Sequence, residues 1–157
     1  MYIKYPDLTK GLEEQNDDVL LGMVIYGEAR GASFDAKIGV ACVIKNRIMN
    51  GHFYDGNIGN NYSGVILKHY QFSSLNKNDP NRKKLFVDPN DKFSWDDILY
   101  ENCYLAGQLV KLNIVSDVTG GALFYFSYPL TNPPLVWGQV VSSADIDKLH
   151  FYKNKFL

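Results

Sequence analysis

The chain has 157 residues, with 16 Lys and Arg against 17 Asp and Glu, and so a formal net charge of −1. That balance excludes a protein that holds nucleic acid through overall positive charge, because phosphate backbones require clustered basic residues. With 46% hydrophobic and 21% charged residues the composition is that of a soluble globular protein, and a chain of this size buries about 70% of its unfolded surface.

The polar opening gives way after Asn16-Asp17-Asp18 to apolar residues at Leu20, Leu21, Met23, Val24 and Ile25. Asn16 or Asp17 is the expected N-cap, supplying a side-chain acceptor for an orphan backbone N–H. With successive helical residues about 100° apart, Glu28 falls between Val24 and Leu21 and points with the apolar face. Gly27 and Gly31 flank it, leaving little bulk around the carboxylate and placing the helix end after Arg30. A second helix is predicted from a Ser33 cap to Met49, where Ile38, Val40, Ala41, Cys42, Val43, Ile44 and Ile48 cover almost every direction. That is the pattern of a helix buried all round, and it should be central. Asn46 points between Cys42 and Val43, so its amide needs partners.

Residues 51–61 are rich in Gly and Asn and read as loop, and Ser63 to His69 reads as a short helix. Beyond Gln71-Phe72-Ser73, the polar, turn-rich stretch from Asn76 to Lys92 is expected to be a surface excursion. Ser94-Trp95-Asp96-Asp97 has the form of a capping box and opens a third helix ending near Asn113. Its apolar stripe is Ile98, Leu99, Cys103, Leu105, Ala106, Leu109 and Leu112. The aromatic run within Ala122–Phe126 reads as a short strand, and Val140-Val141 begins another extended piece. The expected fold class is α+β, mainly helical, with a small sheet or hairpin and one domain over residues 1–157.

Cys42 and Cys103 are too few for a disulfide framework or a metal cluster, and both sit in apolar helical patterns as reduced, buried residues. The opening residues lack the basic segment, apolar run and cleavage site of a secretory signal. No run approaches 18 apolar residues, so no membrane insertion is expected.

Tyr26-Gly27-Glu28-Ala29-Arg30-Gly31 is the most informative local feature. An acid on an apolar face near a helix C-terminus loses solvation and meets the negative end of the helix dipole, so its pKa should rise. A carboxyl group that keeps its proton near neutrality suits a general acid that protonates a leaving oxygen. The competing reading is a structural ion pair; Arg30 lies about 160° away on the wheel, which leaves Arg47 as the competitor. Aromatic residues outside the helices, among them Tyr62, Tyr70, Phe124, Tyr125, Phe126 and Trp137, supply rings on which flat sugar faces stack, although many of them should be core.

The fragments 21–31, 43–48, 71–73, 117–126 and 150–152, in that order, resemble the spore cortex-lytic, cell wall hydrolase family. The resemblance covers nearly the whole chain. It implies a lysozyme-like domain, akin to lytic transglycosylases, that acts on bacterial peptidoglycan. By the same resemblance Glu28 is the single catalytic glutamate, Gln71 and Ser73 line the cleft, and Thr119, Tyr125 and Phe126 form the opposite wall; Phe72 and Trp137, from the aromatic residues outside the helices, are added as substrate-binding candidates. Gly27, Arg30 and Asn46 are placed as structural neighbours of the site. The chain departs from the pattern at Ala32, where relatives often carry Glu, and at Ser127-Tyr128-Pro129.

Asp35, Asp55 and Asp117 are the candidates for a second carboxylate, and no motif fixes any of them opposite Glu28. A lone acid favours lytic transglycosylation between N-acetylmuramic acid and N-acetylglucosamine, with hydrolytic muramidase second and a non-catalytic glycan-binding or virion protein third. No cofactor or metal is expected. His52, His69 and His150 show no ligand spacing, and His150 is expected to be a packed or capping residue. A monomer reaching the wall by phage lysis or virion delivery is the expected setting.

Overall fold

The structure is a computed structural model and describes residues 2–69, 71–91 and 95–156. Helix α1 spans Asp17–Ala29, and Asn16 caps it by accepting from the Asp18 N–H at 2.9 Å. Helix α2 spans Phe34–Asn50, capped by the Ser33 hydroxyl, which accepts from the Ala36 N–H. Gly51, in the left-handed region at φ 82°, ends it. The short α3 is Tyr62–Ile66 and α4 is Asp96–Lys111. Three strands follow, β1 (Phe124–Ser127), β2 (Val140–Ile146) and β3 (Leu149–Asn154). They form an antiparallel sheet in the order β1-β3-β2 with an irregularity between Ser142 and Ala144.

Helix α1 explains the α+β arrangement. Leu20, Leu21, Met23, Val24 and Ile25 are all fully buried, because α1 is covered by α4, α2 and α3 together. Each such side chain contributes about 1.5–3 kcal/mol of transfer free energy. Helix α2 is likewise buried through Val40, Ala41, Val43 and Ile44, and it meets both α4 and the sheet. A Cβ at Gly39 would lie 2.6 Å from the Phe151 ring, so the missing side chain is what lets β3 settle on α2.

Two expectations need correction. The face that α4 buries is Tyr100, Cys103, Tyr104, Ala106, Gly107 and Val110, whereas Ile98 and Leu112 are exposed. The stripe rotates because Tyr100 and Tyr104 hide their rings and Gly107 lets Leu21 approach its backbone. The Tyr100 hydroxyl donates to the Lys4 carbonyl at 2.7 Å, a partner far away in sequence. The excursion after Asn76 is also anchored: Leu85 is fully buried, Val87 nearly so, and the 3-10 turn Arg82–Leu85 packs against α1. Ser94 of the capping box, Lys92 at the end of the excursion, and Tyr70 lie outside the described residues. Tyr62, expected in loop, opens α3.

Candidate active site

Glu28 lies on the last turn of α1, half-buried, at the junction of two hollows. The larger is a cleft of about 530 Å³ lined by Arg47, His52, Phe53, Lys68, Gln71, Phe124, Tyr125, Val136 and Trp137. The smaller, about 380 Å³, continues past Gly27, Arg30 and Ser127 to Lys148. Glu28 is the one carboxylate among the lining residues of either.

Its two oxygens are held unequally. The Tyr125 hydroxyl donates to Oε1 at 2.9 Å, and the Ser74 hydroxyl reaches Oε2 at 3.5 Å. Burial pushes the Glu28 carboxyl up from the ordinary glutamate range. The hydrogen bonds from Tyr125 and Ser74 and the charge of Arg47 pull the other way without cancelling that rise. Tyr125 itself is raised well above an ordinary phenol, first by burial and then by Glu28, so it stays protonated and remains a donor.

Arg47 is the competitor that the sequence left open, and it forms no ion pair with Glu28 within 4.0 Å. Its Nε donates to the Leu123 carbonyl at 2.8 Å and a terminal nitrogen donates to Gln71 Oε1 at 3.2 Å. The guanidinium also faces the rings of Phe53, Phe72 and Phe124 at 5.2, 5.4 and 5.9 Å. Burial lowers its pKa, yet a guanidinium stays charged at any working pH. Arg47 therefore fixes Gln71 and the start of β1, and acts on Glu28 only through space.

Across the cleft, Trp137 stacks on Phe124 with ring centroids 5.0 Å apart and planes 19° from parallel. Phe53 meets the other edge of Phe124 at 5.6 Å. Phe126 and Tyr152 support Trp137 from beneath at 6.0 Å each.

The residues singled out from the sequence divide into three groups. Glu28, Gln71, Tyr125 and Trp137 line the cleft together. Gly27 and Arg30 line the adjoining hollow, and a Cβ at Gly27 would lie 2.5 Å from Ser74 Oγ and 2.8 Å from Leu85. Arg30 rests on the Tyr26 ring and donates to Asn81.

Phe72, Ser73, Thr119 and Phe126 are not cleft-lining residues. Phe72 is buried beneath Arg47, and Thr119 is completely buried with its hydroxyl on Asp117. A side chain without exposed surface has nothing to offer a sugar. Phe126 backs Trp137, while Ser73 faces away and its neighbour Ser74 reaches Glu28.

Asn46 finds the partners its position requires, donating to Asp117 Oδ2 and to the Ala122 carbonyl, both at 2.9 Å. Asp117 also accepts from Thr119 and Gly121. Burial alone would raise its pKa, but these donors outweigh it and hold the carboxyl below the usual range. Asp117 is thus a turn-former, Asp55 accepts from the Asn57 N–H in the adjacent loop, and Asp35 is exposed on the first turn of α2.

His150 does meet an acid, because β3 pairs with β2 in a register that sets Asp145 opposite, with Nδ1 2.6 Å from Oδ1. Among the described residues no three His, Cys, Asp or Glu side chains converge as a metal site. None of the helices there is long and apolar enough to cross a membrane. Ser74, Phe53 and Arg47 are the site residues that sequence reasoning missed in these roles. Nothing in Gln71-Phe72-Ser73-Ser74 tells one serine from the next.

A helix-borne acid facing an aromatic sheet wall across an open trough is the arrangement of a lysozyme-like glycan-cleaving fold. The chain belongs to the Cell Wall Hydrolase family, whose pattern matches residues 31–152. Glu28 precedes that segment. The spore cortex-lytic enzyme of Oceanobacillus iheyensis is 30% identical over 125 residues, covering 78% of this chain and 37% of that protein. The Bacillus subtilis spore cortex-lytic enzyme is 25% identical over 126 residues, covering 79% and 33%. The chain therefore spans little more than a third of those relatives.

Among solved structures, the catalytic domain of the germination-specific lytic transglycosylase SleB from Bacillus anthracis superposes with a TM-score of 0.59 at 25% identity, covering 89% of this chain and 96% of that one. The Bacillus cereus SleB catalytic domain gives 0.60 at 26%, covering 89% and 91%.

Proposed function

We propose that this protein cleaves the glycan strands of bacterial peptidoglycan between N-acetylmuramic acid and N-acetylglucosamine by lytic transglycosylation, with Glu28 as its single acid. The observation that carries the reading is a lone carboxyl group, raised by burial and held by a phenol, on the floor of an aromatic-walled cleft. The likeness to SleB supports the same chemistry.

In this reaction Oε2, the more loosely held oxygen, delivers its proton to the bridging oxygen as the bond from that oxygen to the anomeric carbon breaks. The acetamido carbonyl of the muramic residue covers the anomeric carbon from the opposite side. The 6-hydroxyl of the same sugar then attacks that carbon and returns its proton to Glu28. A 1,6-anhydro end results and no water is consumed. The Tyr125 bond orients Oε1 throughout, and Trp137 with Phe124 offers a stacking face to a neighbouring sugar. Two-acid glycosidases carry carboxyl groups about 5 Å or roughly 6.5–9.5 Å apart, and among the described residues no second carboxylate lines this cleft.

Purified walls treated with the protein should release muropeptides that lack one water relative to reducing-end products, by mass spectrometry. Reducing ends would replace this reading with a muramidase. Glu28→Gln should lower the rate of turbidity loss by roughly 10²–10⁴-fold with folding retained. Unchanged activity in that variant would remove Glu28 from its role.

A further inference from the structure

A second cavity, of about 550 Å³, opens beside the catalytic cleft and is given no role by the reaction above. The two hollows meet at Lys68, which lines both. Ile58, exposed, and Leu67, half-buried, give the second one an apolar floor, backed by the buried Leu12, Ile66 and Phe72. Beyond it a third hollow, of about 450 Å³, shares Lys77, Asn78 and Arg82 with the second and adds Lys83. Residues 77–84 hold four basic side chains and one acid, in a chain whose net charge is −1. Lys68, Lys77, Arg82 and Lys83 thus mark one track that leaves the cleft sideways, with Glu13, Asp55 and Asp79 as the acids along it.

Not all of that charge is free. Arg82 donates to the Leu75 carbonyl and lies 4.0 Å from Glu13, so it fastens the rim. Lys68 donates to the Tyr54 carbonyl at 3.3 Å. Lys77 and Lys83 are exposed and make no ion pair among the described residues. The floor of Ile58 and Leu67, the ammonium groups of Lys77 and, in the adjoining hollow, Lys83, neither held in an ion pair among the described residues, and the amides of Asn76 and Asn78 suit a short anionic peptide better than a sugar.

We propose that the cavity beside Lys68 receives a peptide stem of the glycan strand, binding its carboxylates through Lys77 and Lys83. The proposal rests on the glycan-cleaving reading and deepens it. A stem hangs from the lactyl group of each substituted muramic residue, so it must leave the cleft laterally. Its alanine methyl groups match the floor, and its carboxylates match the rim. Exposed ammonium groups each add only a severalfold gain in affinity, so the site selects stem-bearing glycan without contributing to bond cleavage.

The test pairs a kinetic and a binding measurement on wild type and on the double variant Lys77→Glu, Lys83→Glu. On teichoic-acid-free glycan with stems intact, the double variant should raise KM about tenfold with kcat unchanged. On the same glycan stripped of stems by an amidase, the two proteins should be equal. Equal KM changes on both glycans, or no change on either, would overturn the proposal. So would an effect that appears only on walls retaining teichoic acid, which would assign the track to a polyphosphate.

Independently of any activity, a free tetrapeptide stem titrated into wild type should shift amide resonances around Leu12, Asn76 and Lys77, and the double variant should lose those shifts. Absence of saturable shifts in wild type overturns the proposal. If shifts occur but neither glycan is cleaved, the proposal stands and the cleavage reading falls.

Discussion

The two walls of the cleft are built in opposite ways. On the helical side, Glu28 and Arg47 rise from helices whose flanking residues Val24, Ile25, Val43 and Ile44 have no exposed surface at all. On the sheet side, Trp137 comes from a segment whose preceding residues Leu135 and Val136 are 97% and 89% exposed. A proton donor works only if its position and its desolvation are fixed in advance, which close-packed helices provide. Stacking on sugar faces tolerates small displacements, so it can be left to rings propped against one another at the lip. Under the proposed reaction, the chemistry therefore belongs to the core and the recognition to the rim.

That contrast is sharpest at Tyr125, the one sheet residue that reaches the acid. Tyr125→Phe deletes a hydrogen bond to an ionisable partner, and kcat should fall by roughly tenfold. The bond from Tyr125 favours the ionised carboxyl. Losing it raises the Glu28 pKa further, so the falling alkaline limb of the kcat profile should move to higher pH. A limb that stays in place or moves down would mean that Tyr125 does not act through Glu28.

Trp137→Ala tests the other half of the contrast. It should raise KM about fivefold, equivalent to ~1 kcal/mol of stacking, and spare kcat. A loss confined to kcat would make Trp137 part of the proton-transfer geometry instead.

The smallest effect should be thermal. The Glu28 carboxyl is raised in the fold, so below the ordinary glutamate range it is neutral in both folded and unfolded chains and changes nothing. As pH rises past that range the unfolded chain alone gains by ionising, and stability falls until the raised value is passed. Glu28→Gln removes this penalty, so its Tm should exceed that of wild type by a few degrees near neutrality and converge with it in acid. Scanning calorimetry at the two pH values reads the difference, and a variant less stable at neutral pH would contradict it.

The sequence made the helical wall legible because its signals are local. The apolar run before Tyr26-Gly27-Glu28, the Ser33 cap and the all-round burial of α2 are set by neighbours a turn away, and each lies where the pattern places it. The sheet wall was readable only in outline. β1 was visible in its aromatic residues, but the pairing of β3 between β1 and β2 and the meeting of Asp145 with His150 depend on register, which no single strand encodes.

Ser74, which reaches Glu28, and Leu85, which packs against Gly27, were hidden for a related reason: both come from polar, turn-rich stretches whose composition reads as surface. The buried face of α4 departs from its aliphatic stripe because Tyr100 and Tyr104 hide their rings, Tyr100 with its hydroxyl on the Lys4 carbonyl, a partner that no local pattern reveals.

Arg47 carries one last consequence. A single guanidinium ties α2 to the Leu123 carbonyl, to Gln71 and to three aromatic rings. Moving the sheet away from the helices would strip a buried cation of the Leu123 carbonyl and the Phe124 ring while Gln71, Phe53 and Phe72 stayed behind, so the breadth of the trough is set when the chain folds. Under the proposed function, a strand too thick for that gauge is turned away by its shape before any affinity is tested.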